Sequence, residues 1–268
     1  MIDRYFFAEP GLSFLIEEGD KKILFDVGYS DIFIKNAYKM NMRFWDIDYL
    51  VLSHGHLDHT WGLPDLIRLY TEAKIESINY KVPSLVAHPL ALVPKEMGEL
   101  KEIGSMIPVD EIKRHFSLKL SSNSIWLTEK LVFLGEIKRK NNFEAKHPIG
   151  KIKGNEKDED DFIMDDSALA YCSKDGLIII TGCSHAGICN IIEQAKQVCK
   201  DNRVIDIIGG FHLQNPDKKQ IEGTVNYFKS LQPKTLHACH CTDLKSKIAL
   251  SETSDLQEVG VGLVLEYQ

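Results

Sequence analysis

Residues Ser53 to His59 read Ser-His-Gly-His-Leu-Asp-His, so His54, His56, Asp58 and His59 place four potential metal ligands in one short run. Neutral imidazole and carboxylate suit zinc, iron or manganese. Four donors exceed what one ion takes from a single segment. The spacing predicts two ions sharing one loop, with His54 and His56 on the first and Asp58 and His59 on the second. A lone histidine would read as a surface residue and a lone Asp58 as a helix cap, but four donors together point to ligation. Asp58 and His59 are also the expected catalytic pair, with Asp58 placed to hold a water.

The surrounding elements must position these groups. Ile47 to Leu52 is apolar and β-prone, which predicts a buried strand, and Gly62 to Tyr70 has helical spacing. The cluster then lies on a turn at the C-terminal end of a strand, just before a helix, where α/β proteins place their chemistry. Gly55 is expected to supply the bend through dihedrals that other residues avoid. Upstream, Leu12 to Glu17 and Lys22 to Phe25 form a hairpin around residues 18 to 21. Asp26 follows that hairpin, and Asp31 to Met40 is a helix. Ser84 to Ala87 is a strand ending at His88-Pro89. The second half repeats the rhythm. A hairpin joins Ala168 to Cys172 and Leu177 to Thr181, and a helix covers Ile188 to Cys199. Val204 to Ile208 is a strand, Asp217 to Leu231 a helix, and Thr235 to Ala238 a strand. A helix over Asp243 to Leu250 and a final strand over Val261 to Tyr267 complete it. Between the halves, Leu118, Leu120, Ile125 and Leu127 hint at strands, and Leu131 to Ile137 is a clearer one. Residues 138 to 161 are mostly polar and read as a long loop, a candidate lid.

Both halves, about 1–90 and 168–268, therefore read β-β-α-β-α-β within a single α/β domain, with 91–167 connecting them. Two mixed sheets packed face to face with helices outside would bring the strand ends to one edge. There the second set of donors is expected. In Thr181-Gly182-Cys183-Ser184-His185-Ala186-Gly187, His185 is the expected third ligand of the first ion. Cys183 is either a ligand, which would favour zinc, or a small residue packed behind one. His240 is assigned to the second ion with Asp58 and His59. His212 stands in reserve as ligand, substrate binder or core histidine. Asp26 is expected to orient a ligand histidine through its ring N–H, or else to cap the following turn. His88 is placed at a pocket rim, whereas His115, His147 and His237 read as structural or exposed.

The 268 residues suffice for a large core, and 44% hydrophobic with 26% charged residues is a soluble, globular balance. No apolar run reaches membrane-spanning length. Met1 is followed at once by Asp3 and Arg4, which reads as no secretory leader. The net charge of −7 and pI near 5.8 argue against a nucleic-acid binder. Six cysteines, all from Cys172 onward and without Cys-x-x-Cys spacing, fit a reducing cytoplasm. The expected partner is a small-molecule substrate, with no nucleic acid and no membrane; homo-oligomerisation stays open.

The sequence also resembles a known family. His-x-His-x-Asp-His after an internal strand is similar to the signature of the metallo-β-lactamase superfamily. Leu24 to Gly28, Leu52 to Thr60, Ala87 to Pro89, Gly135 to Arg139, Asn142 to Glu144, Asp165 to Leu169, Thr181 to Ile188, Gly209 to Leu213 and His240 to Thr242 recur in an order that resembles one branch. That branch is the dihydropterin-methyl-ribofuranosylaminobenzene-phosphate synthase type of the methanopterin pathway. Nearly the whole chain is covered. The resemblance implies a metallo-β-lactamase-like αββα sandwich with two divalent ions, zinc first and iron or manganese as alternatives. Trp61 stands where the superfamily commonly has glycine, and Asp243 where the branch does. Cys183 occupies the place of the usual bridging aspartate, which puts full occupancy by two metals in question. The branch has another strand before Pro10 to Phe14, so a short N-terminus is expected.

The expected activity is hydrolysis of a small ester or phosphoester by a hydroxide generated on the metal. A transferase condensing a dihydropterin pyrophosphate with a ribofuranosylaminobenzene phosphate is the alternative. There Lys138, Arg139 and Lys140 would meet phosphate oxygens, or else form a solvated charge run, and Trp61 would stack on a flat ring such as a pterin or else plug the base of the helix. A non-catalytic or redox-linked metal protein is the third reading.

Overall fold

The structure is a computed structural model that describes residues 5–154 and 157–267. The elements divide between two compact units. The first comprises the described residues up to Ser122 together with Ile149–Asp161 and Gly260–Leu263; the second comprises Asn123–Pro148, Phe162–Val259 and the residues from Val264 on. The 91–167 connection is thus shared out between the units.

The first unit opens with β1 (Phe14–Glu18) and β2 (Lys21–Phe25), an antiparallel hairpin whose turn has Gly19 at φ +60. Helix α1 (Ile32–Lys39), β3 (Tyr49–Val51), the short α2 (Leu57–Thr60), α3 (Leu63–Ile75) and β4 (Ser84–Ala87) follow. The helix after the donor cluster runs beyond Tyr70 because its apolar side continues through Ala73, which is buried. β5 (Lys95–Glu96), α4 (Val109–His115) and β6 (Ser117–Leu120) complete this stretch. The sheet order is β1-β2-β3-β4-β6, with β2 to β6 parallel. Leu24, Leu50 and Leu85 occupy matched register positions and are buried among Leu52, Leu63 and Leu66. Parallel strands covered in this way read as continuous apolar runs.

β7 (Ile125–Trp126) and β8 (Leu131–Phe133) belong to the second unit. The chain then returns to the first unit with β9 (Lys151–Ile152) and β10 (Glu159–Asp160), which pair with β5 in a three-stranded sheet. This corrects the reading of 138–161 as one long loop; residues 155 and 156 of that segment lie outside the described residues. Short polar strands lack the apolar alternation that would announce them, and here the pairing partner is non-local.

The second unit continues with β11 (Ala168–Cys172), β12 (Leu177–Thr181), α5 (Ile188–Cys199), β13 (Val204–Gly210), α6 (Lys218–Leu231), β14 (Thr235–Cys239), α7 (Leu244–Ser251) and β15 (Asp255–Leu256). Its sheet order is β15-β14-β13-β12-β11-β8-β7, parallel from β12 to β15. Asp217 and Asp243 cap α6 and α7 by accepting from Gln220 N and Ser246 N, each at 2.8 Å. Asp243 also accepts from Asn215 N at 2.7 Å, so one carboxylate serves both the start of α7 and the loop after β13. The buried Glu144 carboxylate takes the first amides of α5, Cys189 N at 3.0 Å and Asn190 N at 3.1 Å. A Cβ on Gly187 would lie 2.3 Å from that carboxylate, so the helix start requires glycine.

The strand expected over Val261 to Tyr267 is absent. Gly262 has φ +80 and packs on Phe6, so the chain turns there; β15 takes the sheet edge instead, and Tyr267 donates to Asp206 at 2.6 Å. Leu131 to Ile137 likewise is strand only over Leu131–Phe133, with one further bond from Leu134 N to Ala168 O at 3.0 Å. Among the described residues no helix is long and apolar enough to cross a membrane.

Candidate metal centre

In the first unit the donor turn hangs from the C-terminal end of β3. Asp26, at the end of the neighbouring β2, is wholly buried and left-handed at φ 60. Its carboxylate accepts from Ser53 N, Ser53 Oγ and His59 Nδ1, each at 2.7 Å. This bonding fixes tautomers. His59 Nδ1 donates to the carboxylate, leaving the Nε2 lone pair for a metal. Ser53 Oγ gives its only proton to Asp26, so at 2.9 Å it accepts from His54 Nδ1, and His54 Nε2 is likewise the acceptor atom. One carboxylate thereby orders two rings, and Ser53 is a site residue that the motif reading passed over.

The rings of His54 and His56 lie 4.7 Å apart between centroids, and those of His54 and His59 4.3 Å apart. Ligand atoms of His54 and His56 lie within 4.8 Å of each other, as do those of Asp58 and His59. Three imidazoles gathered this tightly without solvent fit a divalent cation far better than an apolar interior. His56 is pushed down to about 3, chiefly by burial and then by the nearby charge of Lys95, so it stays neutral, the form that binds metal. Asp58 is the most open of the four, with a quarter of its side chain exposed, and its Oδ2 lies 3.6 Å from His59 Nε2.

Gly55 performs a different task from the one expected. Its φ is not left-handed; a Cβ there would lie 2.6 Å from the Ala91 carbonyl oxygen. Close approach, rather than a forbidden dihedral, demands the glycine. Trp61 is anchored by its indole N–H to Gly104 O at 2.7 Å and tilts against Tyr29 at 5.3 Å. His88 is buried and accepts from Leu90 N through Nδ1 at 3.2 Å, so its neutral ring carries the proton on Nε2.

In the second unit the donors again occupy strand ends. Cys183 and His185 follow β12, His212 follows β13 and His240 follows β14. Ser184, His212 and His240 are left-handed at φ 58, 50 and 51. Non-glycine residues persist in that region where the surroundings over-determine them, and such positions gather at functional sites. Ser184 Oγ donates to Gly210 O at 2.6 Å, and Gly210 N to Gly182 O at 2.9 Å, which locks the β12 and β13 ends together. His240 Nε2 lies 3.2 Å from Cys183 Sγ, and Cys241 Sγ donates to Cys183 O at 3.3 Å. The Cys241 thiol is held well below its ordinary range, first by Cys183 and also by the two histidines His212 and His240. His185 and His212 stack with ring centroids 4.3 Å apart.

Behind His185, Asp165, Asp166 and Ser167 are all buried. Asp166 accepts from Ala186 N at 2.8 Å, and desolvation pushes its carboxyl up to about 7. Acidic residues leading directly into the apolar β11 were the available signal for this group. Arg139 donates to the carbonyls of Phe162 and Ile163, the latter at 3.0 Å, so its guanidinium is engaged by backbone. His237 is buried against Asp206 at 2.9 Å, as befits a structural residue, while His115 and His147 are exposed.

The family model described as "Metallo-beta-lactamase superfamily" matches residues 7–196. The chain is 33% identical to the 7,8-dihydropterin-6-methyl-4-(beta-D-ribofuranosyl)-aminobenzene-5'-phosphate synthase of Methanocaldococcus jannaschii, over 98% of this chain and 91% of that protein. An uncharacterized protein of the same organism, MJ0448, is 31% identical over 97% of this chain and 94% of its own length. Among solved structures, Tm1679, described as a metal-dependent hydrolase of the beta-lactamase superfamily, superposes with a TM-score of 0.81. It shares 28% identity and covers 98% of this chain and 93% of that one.

Proposed function

The chain belongs to the metallo-beta-lactamase superfamily and has its fold, and from that premise we propose that it is a metal-dependent hydrolase of a small ester or phosphoester. The observation that carries this reading is the turn from His54 to His59, whose rings are turned with Nε2 forward by Asp26 and Ser53. Such ordering leaves the Nε2 lone pairs of His54 and His59 available for ligation. Bound there, a divalent metal supplies Lewis acidity and brings water within reach of deprotonation near neutral pH. His54 and His56 form one donor pair and Asp58 with His59 the other. His185, His240 and Cys183 are proposed as further donors on the strength of their strand-end placement and their chemistry. A thiolate from Cys183 favours zinc over iron or manganese. Asp58, the most open carboxylate, is assigned to accept the proton of the attacking water and to orient it. Burial of His54, His56 and His59 excludes bulk water from the rings.

The relationship to the M. jannaschii synthase favours a second reading, condensation of a dihydropterin pyrophosphate with a ribofuranosylaminobenzene phosphate. One experiment separates the two. Protein purified without chelator is analysed for metal, then assayed on a panel of esters and phosphodiesters and, in parallel, on the two condensation substrates. Hydrolysis that disappears on metal removal supports the first reading; condensation without hydrolysis replaces it with the second. Bound iron with no turnover in either assay would leave a redox-linked metal protein and end the enzyme reading.

A further inference from the structure

Lys95 and Asp161 have no solvent exposure, yet Lys95 Nζ lies 3.1 Å from Asp161 Oδ2. Two charges removed from water are costly, and a well-packed apolar pair of similar volume commonly serves stability equally well. What an ion pair adds is a defined register between the segments that carry it. Those segments are informative. Lys95 sits in β5, and its backbone O accepts from Ile103 N at 2.8 Å; Ile103 O in turn accepts from Leu57 N, the first residue of α2, at 2.8 Å. Gly104 O holds Trp61, one residue past α2. Glu102 Oε1 ties the strip together by accepting from Lys95 N at 3.1 Å and Gly104 N at 2.7 Å. The strip from Pro94 to Gly104 therefore grips both ends of the turn that carries His56, Asp58 and His59.

On its other side the same strip is paired with the polar hairpin. β5 pairs with β9 through Lys95 with Ile152 and Glu96 with Lys151, and Lys153 N donates to Pro94 O at 3.0 Å. Asp161 closes the base of the hairpin, where Ile149 N donates to Asp161 O at 2.7 Å and Asp161 N to Gly150 O at 3.0 Å. Lys153 adds ion pairs to Glu96 and Asp158, but these are exposed and contribute little.

We propose that Lys95 and Asp161 are a positioning pair: their buried ion pair latches β9 and β10 onto the Pro94–Gly104 strip and so holds the His56–Thr60 turn in its ligating geometry. Strands β9 and β10, within the segment that reads as a candidate lid in sequence, then act as a brace. This inference rests on the ligand role proposed above for His56, Asp58 and His59.

The test uses the full chain, stripped with chelator, with zinc ion alone as the probe. Lys95→Met and Asp161→Asn are each expected to raise amide hydrogen exchange across 149–161 at least tenfold. Zinc affinity, measured by chelator competition, is expected to fall at least tenfold in the same proteins. Exchange in β11 and β12 should stay as in the parent, reporting an intact second unit. A single variant strands one buried charge and can fail to fold, so K95M/D161L, which removes both charges, is measured as well; there the two readouts must recover together or remain changed together. A loosened hairpin with zinc affinity within twofold of the parent overturns the proposal. So does weakened zinc binding with the hairpin still protected, or no change in either readout. A parent protein that binds no zinc, iron or manganese would sink the ligand reading instead, leaving the exchange data as the separate measure of the latch.

Discussion

The strand-end clusters of the two units use similar residues in different ways. In the first, order comes from side chains: one buried carboxylate, Asp26, and one hydroxyl, Ser53, set the tautomers of two histidines. In the second, order comes from backbone: Ser184, His212 and His240 are held left-handed at the ends of successive strands, and sulfur from Cys183 and Cys241 enters the cluster. The first cluster is built of imidazole and carboxylate, the second of imidazole and thiol. Affinity in the first should therefore respond to the hydrogen bonds behind the rings, and metal preference in the second to the sulfur.

Four experiments test that contrast. The largest effect is expected from replacing Asp58 and His59 together with Ala, which should abolish turnover and remove at least one ion per chain. Unchanged metal content in that variant would mean the donors are wrongly assigned. Next, Asp26→Asn keeps the shape but removes the charge and unsettles the His59 tautomer, and zinc affinity should fall about 10- to 100-fold. Ser53→Ala removes the partner of His54 Nδ1 and one donor to Asp26 but leaves the His59–Asp26 bond, so it should fall short of that loss; equal losses would mean that the network does not act through Asp26. Third, Cys183→Ser should weaken zinc binding about tenfold and erase the thiolate-to-metal absorption of a cobalt-loaded sample, whereas Cys241→Ser should keep the band. Loss of the band in Cys241→Ser instead would exchange the roles of the two thiols.

The smallest effect concerns pH. Asp166 has its carboxyl raised from 3.8 to about 7 by burial. The folded state therefore binds a proton that the unfolded chain releases, and this group's contribution to stability is full below about pH 4 and declines as pH rises toward 7. Denaturation of the metal-free protein across that range should show a slope that flattens in Asp166→Asn. A slope unchanged by the substitution would place its origin elsewhere.

Many elements were legible because their signals are local. Leu177–Thr181 is a buried run built on three isoleucines and bounded by Gly176 and Gly182, and Ile188–Cys199 has a helical apolar stripe. The donor turn was legible because its residue types are rare together. The hairpin of β9 and β10 was not, since its strands are two polar residues each and are defined by a partner at Lys95. Nor was the role of Gly55, because a motif cannot show that the Ala91 carbonyl occupies the space of a side chain.

By itself the sequence determined which residue types are suited to bind a metal and where the longer apolar strands and helices lie, since ligand chemistry and periodicity are written residue by residue. Tertiary structure alone decided that Asp26 commands both His54 and His59, that Glu144 takes the amides of α5, and that Lys95 finds Asp161 out of water. These partners are separated by tens of residues, and burial and hydrogen-bond geometry between such segments exist only once the chain has folded.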